Sequence, residues 1–220
     1  MSHVRILNKH PASAEKKPQS LRKKPIQSRA QFTLAALQES FVRVLVERGY
    51  EKMTIREVAA VAGIGVGTFY DYVPNLRALA ASTIHKRCMD TAAHLQNTVT
   101  EQEGQNIRIM VKALLQALVR EGFGKPQEWT ALLMLERQVS SAAALRKIHE
   151  SYVQVWAQAI RLSSVQIQHD QVILVARMAH SLSYGWYSHD LLFYIDDPKH
   201  SRSITEIGSA IVGIIELASD

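Results

Sequence analysis

The residues whose types and spacing could do chemistry cluster between positions 54 and 77. Gly65 and Gly67 remove side chains from the start of a short helical pattern, so that backbone N–H groups and the positive helix end can approach a phosphate. Thr68 can donate to a phosphate or lay its methyl against thymine, and Tyr70 places a phenol hydroxyl on the same surface. Val66 and Asp71 complete the outward or partly outward set, Tyr72 is a further contact candidate, and Arg56 before it and Arg77 after it are cationic candidates. The alternative is that Thr68 only stabilises its helix and that the tyrosines cover the edge of a core. The Gly63-x-Gly65-x-Gly67 spacing is not a nucleotide-binding loop, because the third glycine is misplaced and a helix, not a strand, precedes it.

Catalytic chemistry finds no such cluster. No Ser/His/Asp order or carboxylate pair stands in a recognisable context, and His149 and Ser151, two apart on a helix, diverge. His85, Cys88 and His94 span more than two helical turns and do not supply the usual four ligands of a closed metal site. The expectation is therefore a binding protein with no catalytic residue, metal or cofactor.

Charge points to the partner. Of 26 Lys and Arg, eight (Arg5, Lys9, Lys16, Lys17, Arg22, Lys23, Lys24 and Arg29) fall in the first thirty residues, opposed only by Glu15, a net of +7. The rest of the chain carries 18 basic and 19 acidic side chains, a net of −1. Residues 1 to about 27 thus read as a disordered basic arm suited to a polyanion. A hydrophobic content of 47% with 21% charged residues is that of a globular protein, and no apolar run approaches the ~20 residues of a membrane span. The basic segment after Met1 lacks the apolar stretch of a secretory signal, and the single Cys88 cannot form an internal disulfide; both fit a cytoplasmic location.

Helical periodicity governs the elements that must position these residues, and the expected fold is all-α. Ser28 with Gln31 reads as a capping box opening a helix to about Arg48, with Leu34, Leu37, Phe41, Val44 and Leu45 on its buried stripe. Gly49 follows as a left-handed C-cap. Thr54 with Glu57 is a second capping box, before a short helix that buries Ile55, Val58, Ala59 and Ala62 and ends at Gly63. Val66 to Tyr72 resumes a helix with Phe69 turned inward beside Ile64, which makes a helix-turn-helix. Beyond Pro74, helices are expected at about 76 to 102, 105 to 122, 127 to 139, 141 to 164, 169 to 194 and 203 to 218.

From Leu45 to Leu79 the sequence LVERGYEKMTIREVAAVAGIGVGTFYDYVPNLRAL resembles the DNA-binding domain of the TetR family of bacterial repressors. Glu47-Arg48-Gly49-Tyr50, Thr54 to Ala59, Ala62-Gly63 and Gly67-Thr68-Phe69-Tyr70 carry the likeness. It departs where Gly65-Val66 replaces the usual Ser-Lys or Ser-Arg, where Leu76 replaces a lysine after the proline, and at the acidic Asp71. The resemblance implies a DNA-binding domain over 28–75 that reads the major groove, and an effector-binding and dimerisation domain over 76–220. It implies that Met110, Phe123, Trp129, Met134, His149, Tyr152 and Trp156 line the pocket for a small apolar or amphipathic effector. The apolar face Ile204, Ile207, Gly208, Ile211, Val212 and Ile215, with glycines where helices approach closely, is expected at a homodimer interface together with the apolar segment from Val172 to Ile195 before it. The implied function is a repressor on a pseudo-palindromic DNA operator, released by its effector; a DNA-coating architectural protein with little sequence choice is the alternative.

Overall fold

The computed structural model describes residues 24–194, 196–197 and 203–219, and among them every regular element is a helix. These are α1 (Lys24–Arg48), a 3-10 turn (Tyr50–Lys52), α2 (Ile55–Val61), α3 (Val66–Tyr72), α4 (Leu76–Glu101), α5 (Ile107–Phe123), α6 (Pro126–Val139), α7 (Ala142–Leu162), α8 (Val172–Phe193) and α9 (Ile204–Leu217). The expected all-α fold is what forms.

Local chemistry explains most boundaries. α1 starts at Lys24 instead of Ser28, with Pro25 in its first turn, where no intrahelical N–H is required. The end of the expected arm is therefore helical, and residues 1–23 of that arm lie outside the described residues. Gly49 stops α1 at φ 72° and ψ 159°, a positive-φ extended conformation open essentially to glycine alone, not the left-handed cap expected. At α2 both halves of the capping box are made: the Thr54 hydroxyl accepts from the Glu57 N–H at 3.2 Å, and the Glu57 carboxylate accepts from the Thr54 N–H at 2.9 Å.

The three N-terminal helices share a core of Leu37, Phe41, Val58 and Phe69. That core continues into the larger bundle, because α1 packs on both α4 and α6. An ion cluster spans the same joint: Arg87 of α4 donates to both Glu39 carboxylate oxygens of α1 at 2.9 and 2.8 Å and stands 3.5 Å from Glu128 of α6.

One expectation is corrected here. α9 closes the bundle by packing on α5 and α8, and Ile211 and Ile215 are fully buried within the chain's own core. Ile204 and Ile207 are half-buried against that core, and a Cβ on Gly208 would meet Leu115 at 3.5 Å. The face expected to meet a partner instead meets α5. An apolar stripe reports burial without saying what covers it.

Candidate DNA-reading face and effector cavity

α3 is a short helix anchored by a single large side chain. Phe69 is completely buried, its N–H donates to the Gly65 carbonyl at 3.1 Å, and Tyr70 packs edge-on against it at 5.6 Å. With Phe69 fixed inward, the helical period turns Val66 and Tyr70 outward at 39% and 55% exposure, with Asp71 beside them. Thr68 and Tyr72 are half-buried, and Tyr72 packs on the core. Gly65 and Gly67 are exposed, and a Cβ on either would meet nothing within 4 Å. Nothing in the chain itself demands glycine at these positions. Arg56 is exposed on α2. Arg77 is exposed, and its Nε donates to the Val139 carbonyl at 3.5 Å, a long contact between the first turn of α4 and the C-terminal end of α6.

The second site is a cavity of about 480 Å³, open to solvent on one side and lined by α4, α5, α6, α7 and α8. α4 contributes Cys88 and Thr91; α6 contributes Trp129, Leu133, Glu136 and Arg137. α7 contributes Ile148, His149, Tyr152 and Trp156, and α8 contributes His180, Ser183, Tyr184 and Tyr187. The wall thus combines aromatic and aliphatic side chains with several polar groups, a make-up that suits a small-molecule site. Within it His180 stacks parallel to Tyr152 at 5.4 Å and lies 4.9 Å from His149.

Burial sets the protonation states. Desolvation, helped by nearby His149, lowers the His180 pKa to about 4, so this imidazole is neutral at physiological pH. Desolvation and then the Glu136 charge push the Cys88 thiol up to about 12, far from a reactive thiolate. Desolvation also raises the Glu136 carboxyl, which Arg137 only partly offsets, and raises Tyr152, Tyr184 and Tyr187. No described group of three or more His, Cys, Asp or Glu could hold a metal ion, and no described helix is long and apolar enough to cross a membrane.

Of the seven residues expected at the pocket, Trp129, His149, Tyr152 and Trp156 come together in its wall. Three do not. Met110 is buried in the core, Phe123 packs edge-on against Tyr187 at 6.0 Å outside the cavity lining, and Met134 is 65% exposed on the outer face of α6. Glu136, Arg137, Cys88, Thr91 and the α8 group were not anticipated. The spacing of His180, Tyr184 and Tyr187 along one helical face is the signal that could have found the last of these.

Residues 41–83 match the family model of bacterial regulatory proteins of the tetR family. The match spans the helix-turn-helix segment, from the second half of α1 through α2 and α3 into the start of α4. Solved TetR-like structures have the same fold. A TetR-family transcription regulator from Marinobacter aquaeolei VT8 superposes with a TM-score of 0.65 at 13% identity, over 88% of this chain and 99% of that one. The fatty acid degradation regulator FadR from Bacillus halodurans gives 0.60 at 13% identity, over 85% and 94%. The FadR of Bacillus subtilis, solved in complex with stearoyl-CoA, gives 0.59 at 14% identity, over 84% and 97%. No curated protein sequence matches the chain.

Proposed function

We propose that this chain is a sequence-specific transcriptional regulator of the cytoplasm. It binds a pseudo-palindromic operator as a homodimer and, acting as a repressor, releases DNA when a small amphipathic molecule fills the cavity. The observation that carries the reading is the pairing of two features in one continuous body. α3 presents Val66, Tyr70 and two unencumbered glycines to the outside, while α4 and α6, which hold α1, also form the cavity wall. The B. subtilis FadR complex supports an amphipathic occupant, since a protein of the same fold was solved with such a ligand.

The outer face of α8 and α9 suits the homodimer better than the buried face expected from sequence. Leu174 is 61% exposed and Met178 is exposed beside it, with Leu217 on α9. Gly185 and Gly213 have open space where a Cβ would point. Glycine costs ~1 kcal/mol against alanine in a helix interior, a cost that close approach of a partner helix offsets. Two copies joined there would set the distance between two α3 helices, matching half-sites one DNA turn or a multiple apart.

Release follows if the ligand favours a different α3 separation. A tenfold weakening of operator binding needs ~1.4 kcal/mol of differential ligand affinity between the two states. The Arg77–Val139 contact and the Glu39–Arg87–Glu128 cluster are the polar links through which a shift of α6 would reach the DNA-reading helices. Capture of genomic fragments with purified protein, followed by footprinting, tests this function. A discrete protected palindrome is expected; uniform protection along every fragment would point to an architectural DNA-coating role instead.

A further inference from the structure

Glu136 is a costly residue to place where it is. It is 8% exposed, it forms part of the cavity wall, and its carboxyl has no hydrogen-bond or ion-pair partner among the described residues. Its surroundings are Cys88 of α4, Tyr152 of α7 and Tyr184 of α8, with aromatic Trp129 two turns earlier on the same face of α6. A buried carboxyl without a partner is destabilising unless something else completes it. The neighbouring Arg137 does not do so: it is exposed, makes no ion pair with Glu136 within 4 Å, and hydrogen-bonds the Tyr184 oxygen.

We infer that the effector cavity takes an aromatic or lipophilic amine, with the nitrogen donating to the Glu136 carboxylate and the body lying against Trp129, Tyr152 and Trp156. The inference rests on the effector reading above and adds the ligand's charge class. A cation inside this wall gains twice, from a charge-assisted hydrogen bond to the carboxylate and from the faces of the aromatic rings. Burial raises the Glu136 carboxyl, and a protonated amine beside it supplies the stabilisation of the ionised form that the protein withholds. His180 adds no competing positive charge, since it stays neutral well below physiological pH. A carboxylate ligand would meet Glu136 as a like charge.

Calorimetric titration of the full chain with biphenylmethylamine, biphenylmethanol and biphenylcarboxylate holds the aromatic body constant while the charge changes. The amine should bind about tenfold tighter than the alcohol, and the carboxylate more weakly than either. In Glu136→Gln the amine and alcohol should come within about twofold of each other. In Arg137→Gln the preference for the amine should persist or widen. Equal binding of amine and alcohol, tightest binding by the carboxylate, or an amine preference that survives Glu136→Gln would each overturn the amine assignment while leaving a working cavity. Binding by none of the three would overturn the effector cavity as well. Thermal melting of both variants beside the parent separates lost recognition from lost fold.

Discussion

The DNA-reading module and the cavity bundle are built on different length scales. In the module, the structure rests on contacts within a single helical turn, one to four residues apart: Thr54 with Glu57, Gly65 with Phe69, Phe69 with Tyr70. In the bundle, the Trp129, Glu136, Tyr152 and His180 groups that face one another come from three helices and are brought together only by packing. The lesson is that the first region can be written into local spacing, whereas the second is a property of the assembled fold. It also separates their failure modes. Damage to the module should be local, and damage to the bundle should reach both activities through α4 and α6.

The largest effect should come from Ile211, where a charge would be buried without a partner in the α5–α9 contact. Ile211→Glu should destabilise the chain by roughly 3 to 5 kcal/mol, measured by denaturant unfolding. Leu174→Glu, on the outer face of α8, should leave unfolding nearly unchanged and instead weaken self-association in sedimentation. The reverse pattern would show that the Ile211 face of α9, not the outer face of α8 and α9, carries the interface.

Acid should strike the bundle next. His180 stays neutral in the folded chain down to about pH 4, whereas unfolded it takes up its proton near 6.5. The unfolded state therefore binds more protons in that window. Stability should fall as pH drops from 6.5 through 4, by about 3 kcal/mol at most. Denaturation curves across that range should show the slope, and His180→Phe should flatten it. A slope unchanged by the substitution would assign the acid sensitivity to other groups.

The smallest of the three concerns the module. Thr54→Ala removes one half of the α2 capping box and should cost about 1 kcal/mol, while ligand binding in the cavity is preserved. A loss of ligand affinity as large as the loss of stability would erase the distinction between the two regions.

The same contrast explains how much was legible in the amino-acid order. The capping box at Thr54, the inward Phe69 and the end of α2 just before Gly63 follow from neighbours within a turn, and all are present. The start of α1 was misplaced because Ser28 and Gln31 form a plausible cap, yet Pro25 allows the helix to begin four residues earlier at Lys24. In the bundle, residue type misled. Met134 is apolar and points outward, whereas charged Glu136, two residues on, points into the cavity. Hydrophobicity ranks such residues in the wrong order, because a site needs a few polar groups in its wall.

The central claim is that the outward face of α3 chooses the DNA sequence, and Tyr70 tests it most directly. It is more than half exposed, and its loss should leave the buried Phe69 anchor in place. Binding of the recovered palindrome and of scrambled DNA, measured by fluorescence anisotropy at one fixed salt concentration, should be compared for the parent and Tyr70→Ala. The account predicts unchanged melting, unchanged affinity for scrambled DNA, and a five- to hundredfold loss for the palindrome, on the order of 1 to 3 kcal/mol for one specific contact. Equal affinities of parent and variant for the palindrome would contradict it.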